Sequence, residues 1–411
     1  MRAAEARNMR LLSQNTLGGF GGLGEGMAIQ QVKDGRRIMW LAHEGAPKNF
    51  TGVDVTDPRN TKVVVQTELP HKQMRSNSLD VVGDIMAVAY QTSGPGGLGD
   101  PGFNVKPAGI ELFDVSQPET PKTIAFFDCA GPWSMGVHQL WFADGEFIHF
   151  AGGAPDFEPS HPQDNQFYRC IDVRNPSKPV EAGRWWMPGT RKGDAAPPPR
   201  RHPKFDAGFR AHNTNVYPQR PDRAYVAYLD GGIFILDIAD KANPKMVGHW
   251  NPHPPYNGFS HTALPLLSRD LLICTDECIR NGGEDWPKPT WVVDARLESN
   301  LVPIATFPIP SVEEYGRRGG RYGSHNLHEN QPGPAFRSDT IVFATFFNGG
   351  VRAYDVSDPM QPREIAAYVP EPPAGSRAGE VQINDVYVDE NQIVYAVDRF
   401  TGGLYCLEAD I

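Results

Sequence analysis

Short apolar segments that end in an acidic residue and a turn recur along the whole chain, and a chain built from such copies must bury the apolar face of each against its neighbours. The copies are Thr51-Gly-Val-Asp54-Val-Thr-Asp-Pro58, Glu111-Leu-Phe-Asp114-Val-Ser-Gln-Pro118, Cys170-Ile-Asp172-Val-Arg-Asn-Pro176, Phe234-Ile-Leu-Asp237-Ile-Ala-Asp240, Trp291-Val-Val-Asp294 and Arg352-Ala-Tyr-Asp355-Val-Ser-Asp-Pro359. Aligning Gly402-Gly403-Leu-Tyr-Cys-Leu-Glu408 with Gly349-Gly350-Val-Arg-Ala-Tyr-Asp355 adds a seventh, with Glu408 in place of aspartate. Successive copies are 53 to 65 residues apart, which is a repeat architecture and not a pair of unrelated domains.

Within each copy, β-branched and aromatic runs are bounded by Gly, Pro, Asn and Asp, and no helical periodicity of useful length appears. The acidic side chain is placed to accept a backbone amide two residues on and so fix the turn into the next strand. Two further strands precede each copy and one follows it. Four strands per unit predict an all-β fold, a seven-bladed β-propeller of four-stranded antiparallel blades in a single domain over 1–411. The expected blades are 24–70, 74–129, 136–187, 211–251, 259–309, 324–370 and 381–411. The last lacks a fourth strand, and 8–17 is expected to close it, which removes two exposed sheet edges at once.

These segments resemble the LVIVD-repeat proteins, a propeller family named for such strands. The resemblance covers nearly the whole chain and implies the fold; it carries over no catalytic residue.

A net charge of −10 without a dense Lys/Arg tract argues against nucleic acid as a partner. The start, Met1-Arg-Ala-Ala-Glu-Ala-Arg7, has no signal-like apolar core and no later run is long enough to span a bilayer, so a cytoplasmic protein without a membrane partner is expected. Cys129, Cys170, Cys274, Cys278 and Cys406 are odd in number and scattered, with no disulfide framework. Oligomeric state leaves no trace in the sequence.

Strand geometry puts the start of each innermost strand and the end of each second strand on one face of the disc. The long connections 91–106, 152–165, 187–210, 276–288 and 309–323 all fall on that face, as expected of a scaffold that carries function on its loops. They predict a pocket for a small-molecule substrate, with walls that include His43, Trp186, Phe209, Tyr256, Trp286 and Tyr322.

On the same face, His138, His212, His261 and His325 each open an innermost strand, in blades three to six. Blade one offers Gly26-Met27 at this phase, blade two Asn77-Ser78 and blade seven Asn384. The four imidazoles are therefore expected to converge on the axis as metal ligands. Four neutral nitrogen donors suit Fe(II), Mn(II), Cu or Zn and not calcium. Carotenoid-cleaving oxygenases, whose propellers hold iron through imidazoles from four blades, are similar in this arrangement only. Glu44, Asp276, Glu277 and Arg399 are candidate catalytic residues near the ends of second strands. His328 is expected to turn away from His325 along its strand.

Three functions follow. The first is an Fe(II) oxygenase acting on a small aromatic or unsaturated compound, an oxidoreductase of the dioxygenase kind, favoured because no carboxylate is expected beside the metal. The second is a Zn- or Mn-dependent hydrolase, lactonase, lyase or isomerase working through an acidified water. The third is a non-catalytic propeller that binds a protein or metabolite, its recurring histidines serving hydrogen bonds alone.

Overall fold

The acidic residue of each repeat fixes its turn as its chemistry requires. Asp54, Asp114, Asp172, Asp237, Asp294 and Asp355 accept, through Oδ1, the backbone N–H two residues ahead at 2.8–3.0 Å. Each turn delivers the chain into the outer strand of an antiparallel sheet. The computed structural model describes residues 2–92 and 102–411.

Their sheets are all antiparallel and follow chain order. Val137–Trp141, Phe147–Gly152, Phe167–Asp172 and Val180–Trp185 form one; Thr214–Tyr217, Arg220–Ala227, Ile233–Asp237 and Lys245–Trp250 another; Ser260–Leu266, Leu271–Asp276, Thr290–Asp294 and Val302–Thr306 a third. Two four-stranded runs, starting at Leu23–Gln31 and Met74–Val82, are continuous through one residue pair, His43 with Ser76. Apolar clusters fill the spaces between neighbouring sheets, and Trp141 in one sheet donates its indole N–H to the Val216 carbonyl in the next at 2.6 Å.

The amino-terminal segment closes two sheets. Met9–Asn15 pairs with Leu404–Ala409 outside Ile383–Val388 and Ile393–Asp398. Gly403 makes the equivalence to other sheets concrete, because a Cβ there would meet the Asn15 carbonyl at 2.2 Å, as one at Gly232 would meet Trp250 O at 2.3 Å and one at Gly350 would meet Tyr368 O at 2.2 Å. Glu5–Arg7 adds a further strand outside Arg363–Val369, which repeat arithmetic does not foresee. Nor is the innermost segment of that sheet a regular strand: around His325 and His328 it meets Phe343–Thr345 through isolated bonds.

What positions the centre is an irregularity repeated at the start of the innermost strands. Pairing registers shift between Val137 and Gln139, between Ser260 and Thr262, and between Ile383 and Asp385. Ala227 bonds both His212 and Asn213, and Thr345 bonds both His325 and Asn326, so two residues oppose one. Such bulges re-aim side chains. Leu23–Gln31 shifts register over Leu23 to Met27, where Gly24 and Gly26 press on the neighbouring strand: a Cβ at Gly24 would lie 2.6 Å from Asn77 O, and one at Gly26 2.2 Å from Leu79 N. The Glu25 between them turns to the axis.

Gly26→Ala is accordingly expected to cost about 1–3 kcal/mol of folding stability by overpacking against fixed backbone. Gly45→Ala, with open space around the new methyl group, is expected to stay within about 0.5 kcal/mol of wild type in chemical denaturation.

Candidate metal centre on the propeller axis

His138, His212, His261 and His325 are buried and arranged as a chain of rings, with successive centroids 4.2, 3.9 and 4.5 Å apart. Their Nδ1 atoms face outward to oxygen. His138 Nδ1 meets Gln91 Oε1 at 2.9 Å, an oxygen that also accepts from Arg75. His212 Nδ1 meets Asn213 Oδ1 at 2.8 Å, while the amide nitrogen of Asn213 donates to Glu329. His325 Nδ1 donates to the Asn384 carbonyl at 2.6 Å, and His261 Nδ1 meets Thr262 Oγ1 at 2.8 Å. The Asn384 carbonyl, which can only accept, puts the ring proton of His325 on Nδ1, and Gln91 Oε1 and Asn213 Oδ1 favour the same tautomer in His138 and His212.

The Nε2 atoms turn toward their neighbours along the chain of rings. Nε2 of His138 and Nε2 of His212 are 2.7 Å apart, and Nε2 of His261 and His325 have no hydrogen-bond partner. Glu25 enters the same space: its Oε2 lies 3.5 Å from His261 Nε2 and 3.9 Å from His212 Nε2, and its Oε1 lies 3.5 Å from His325 Nε2. Glu277 Oε1 is also 3.5 Å from His325 Nε2. The two groups Glu25–His212–His261 and His261–Glu277–His325 each keep their ligand atoms within 4.8 Å of one another.

Burial dominates the electrostatics of the cluster. Burial and the neighbouring imidazole hold His138 far below its ordinary value and His212 at about 3, and burial lowers His325. For His261 burial acts in the same sense, but Glu25, with Glu277 and Glu329 behind it, outweighs it and raises the pKa. Burial opposes charge on Glu25, and the surrounding imidazoles overcome it and keep the carboxyl ionised.

Glu25 revises the expectation that carboxylates would be absent beside the rings and that the first unit would leave open space there. Its signal in the sequence is Gly24-Glu-Gly26, one acidic residue between two positions that tolerate no side chain.

The other candidates divide. Glu277 accepts from Arg321 at 2.6 Å and lies 4.0 Å from Arg399 Nη1; Glu44 accepts from Arg75 at 2.7 Å and from Arg399 at 2.5 Å. Burial works against charge on Glu277, but His325, Arg321 and His261 hold it ionised down to about 2. Asp276 stands apart, bonded to the Ser260 hydroxyl and the Trp291 indole, and anchors its own sheet. A cavity of about 510 Å³ opens above this layer, lined by Glu44, Arg321, Arg377, Gln382, Arg399 and Phe400 among others.

None of the aromatic residues expected as its walls lines it. His43 is buried, bonded to Thr51 Oγ1 at 2.7 Å; Tyr322 is fully buried and donates to the Pro310 carbonyl; Phe209 is buried under the Arg201 guanidinium. Trp186 packs on Phe157 and Phe167, Tyr256 on Trp291, and Trp286 is largely exposed. Loop aromatics pack locally, and sequence periodicity does not reach them. The expected loop 91–106 falls in part on residues 93–101, outside those described. His328 turns away as expected, accepting from Val388 N and bonding the Phe336 carbonyl.

With this geometry in hand, comparison places the chain. The LVIVD repeat matches residues 222–251, in the sheet of Arg220–Ala227, Ile233–Asp237 and Lys245–Trp250. The chain carries an LVIVD repeat within a β-propeller fold. Among solved structures the LVIVD propeller is similar to the β-propeller domain of Cps50 (Swd1) from Myceliophteria thermophila, at 13% identity and a TM-score of 0.56 over 94% of this chain and 97% of that one. The N-terminal domain of Nup159 aligns at 10% identity and a TM-score of 0.54 over 99% and 97% of the two chains. A protein from Lactobacillus plantarum aligns at 9% identity and a TM-score of 0.53 over 83% and 87%. At these identities the likeness is one of fold. No curated protein matches the LVIVD propeller in sequence. Among its described residues no helix is long and apolar enough to cross a membrane.

Buried histidines away from the axis give a pH prediction. His149 bonds the Tyr168 hydroxyl at 2.8 Å, and burial lowers its pKa from 6.5 to about 3. The unfolded chain takes up this proton near pH 6.5 and the folded chain does not until about pH 3. The contribution is therefore complete above pH 6.5 and lost as pH falls towards 3. Urea denaturation from pH 7 to about 4.5 is expected to show a smaller loss of stability in His149→Gln than in wild type; an equal or larger loss contradicts it.

Proposed function

We propose that this propeller is a metal-dependent enzyme, with a divalent transition metal held on the axis of a seven-bladed ring by Nε2 of His138, His212, His261 and His325 and by Glu25. One observation carries the reading. Nε2 of His138 and Nε2 of His212 face each other at 2.7 Å while their Nδ1 atoms are held by Gln91 and Asn213. Two imidazole nitrogens this close share either a proton or a metal ion. The unpartnered Nε2 atoms of His261 and His325 and the unpartnered Oε2 of Glu25 support the same conclusion, since buried polar atoms normally find a partner.

Imidazole donors with one carboxylate suit Fe(II), Mn(II) or Zn(II) and are a poor set for calcium. Such an ion supplies either an iron site for dioxygen chemistry or a Lewis acid that acidifies water. We favour the oxygenase, acting on a small molecule that enters from the cavity above. The hydrolytic alternative needs a general base, and both acids beside that cavity are engaged: Glu277 by Arg321, Glu44 by Arg75 and Arg399. A carboxylate bonded to guanidinium is a weak proton acceptor. What these residues do is hold charge: Glu277 and Glu44 fix the guanidinium groups that face the incoming molecule.

Protein purified without added metal is expected to contain about one transition metal ion per chain, measured by inductively coupled plasma mass spectrometry. His261→Ala and His212→Ala are each expected to retain less than about a tenth of it with an unchanged far-ultraviolet spectrum, because neighbouring sheets hold one another. Iron with oxygen-dependent turnover supports the oxygenase, and zinc or manganese moves the assignment to water chemistry. Stoichiometric metal in both variants, or none in wild type, overturns the metal centre and leaves a binding propeller.

A further inference from the structure

Three arginines, Arg321, Arg377 and Arg399, line the cavity above the histidines, and Arg75 pairs with Glu44, which also lines it. Opposing these four guanidinium groups are the carboxylates of Glu44 and Glu277. Only part of this positive charge is matched. Arg399 gives Nη2 to Glu44, but its Nη1, fully buried, has no hydrogen-bond partner and stops 4.0 Å short of Glu277. A buried guanidinium N–H without an acceptor is the mark of a position that an outside oxygen completes. Glu44 Oε2, also buried and unpartnered, is placed to accept from a hydroxyl or amine of the same molecule.

We propose that this cavity binds the carboxylate of an organic acid, held by Arg399 and Arg321 with the apolar body of the acid against Phe400 and Ile279. The inference builds on the metal centre proposed above, since the seat lies one layer over His325 through Glu277, and it names the substrate class that centre serves. A singly charged carboxylate fits better than a phosphate. Two acidic side chains in so small a space already oppose the arginines, and a planar fork of two oxygens matches a guanidinium edge.

The test is calorimetric titration of the whole protein as purified, with benzoate, succinate, benzamide and inorganic phosphate as probes and metal content measured on the same sample. Benzoate or succinate is expected to bind saturably at one site, with benzamide and phosphate at least about tenfold weaker. Arg399→Gln is expected to weaken carboxylate binding at least about tenfold without loss of metal, and Arg399→Lys to recover part of it. Benzamide binding as well as benzoate, phosphate binding more tightly, or no saturation by either acid up to about 10 mM overturns the proposal. The wild-type comparison does not depend on the variants folding. Metal without carboxylate binding would refute this inference and spare the metal centre; carboxylate binding without metal would do the reverse.

Discussion

Convergence of the innermost strands on one axis is the constraint from which the rest of this molecule follows. A side chain at the mouth of such a strand meets its counterparts from other sheets, and a bulge at that point turns it inward. The same bulge puts the next side chain alongside, so Asn213 and Thr262 fix the rings of His212 and His261 from one position away. For these two rings orientation and convergence share a single backbone cause, while His138 and His325 are oriented from other strands, by Gln91 and the Asn384 carbonyl.

Charge is layered along this axis. Arginines with two engaged carboxylates occupy the looped mouth, imidazoles with Glu25 the middle, and acids the far side, where Glu25, Asp80, Glu329 and Asp385 line a small space. On that far side burial raises Asp80 to about 7 and keeps Asp385 and Glu329 above their ordinary values. A cation in the middle layer is stabilised by Glu25, and an anion is drawn to the mouth and not to the floor.

The sequence made the all-β repeat legible because its signals are local: an aspartate, an amide two residues on, and a strand of fixed apolar phase. The histidines were legible because repeat phase maps directly onto position around an axis. Glu25 was not, since the irregular register between Leu23 and Met27 shifts the inward position off the phase shared by the others. Tyr322, Phe209 and Trp186 looked like pocket walls by loop position, yet their partners come from packing within and between loops, which no period encodes. Arg75 escaped notice for a related reason: an ion pair between sheets joins it to Glu44 with no sequence relation between them.

Anomalous diffraction from crystals of the protein, recorded on both sides of the absorption edge of its metal, tests the axial centre most directly. One peak is predicted about 2.0–2.3 Å from Nε2 of His138, His212, His261 and His325, with Nδ1 of each ring still facing its oxygen. A peak elsewhere on the molecule, or rings turned so that Nδ1 faces the axis, would contradict the account.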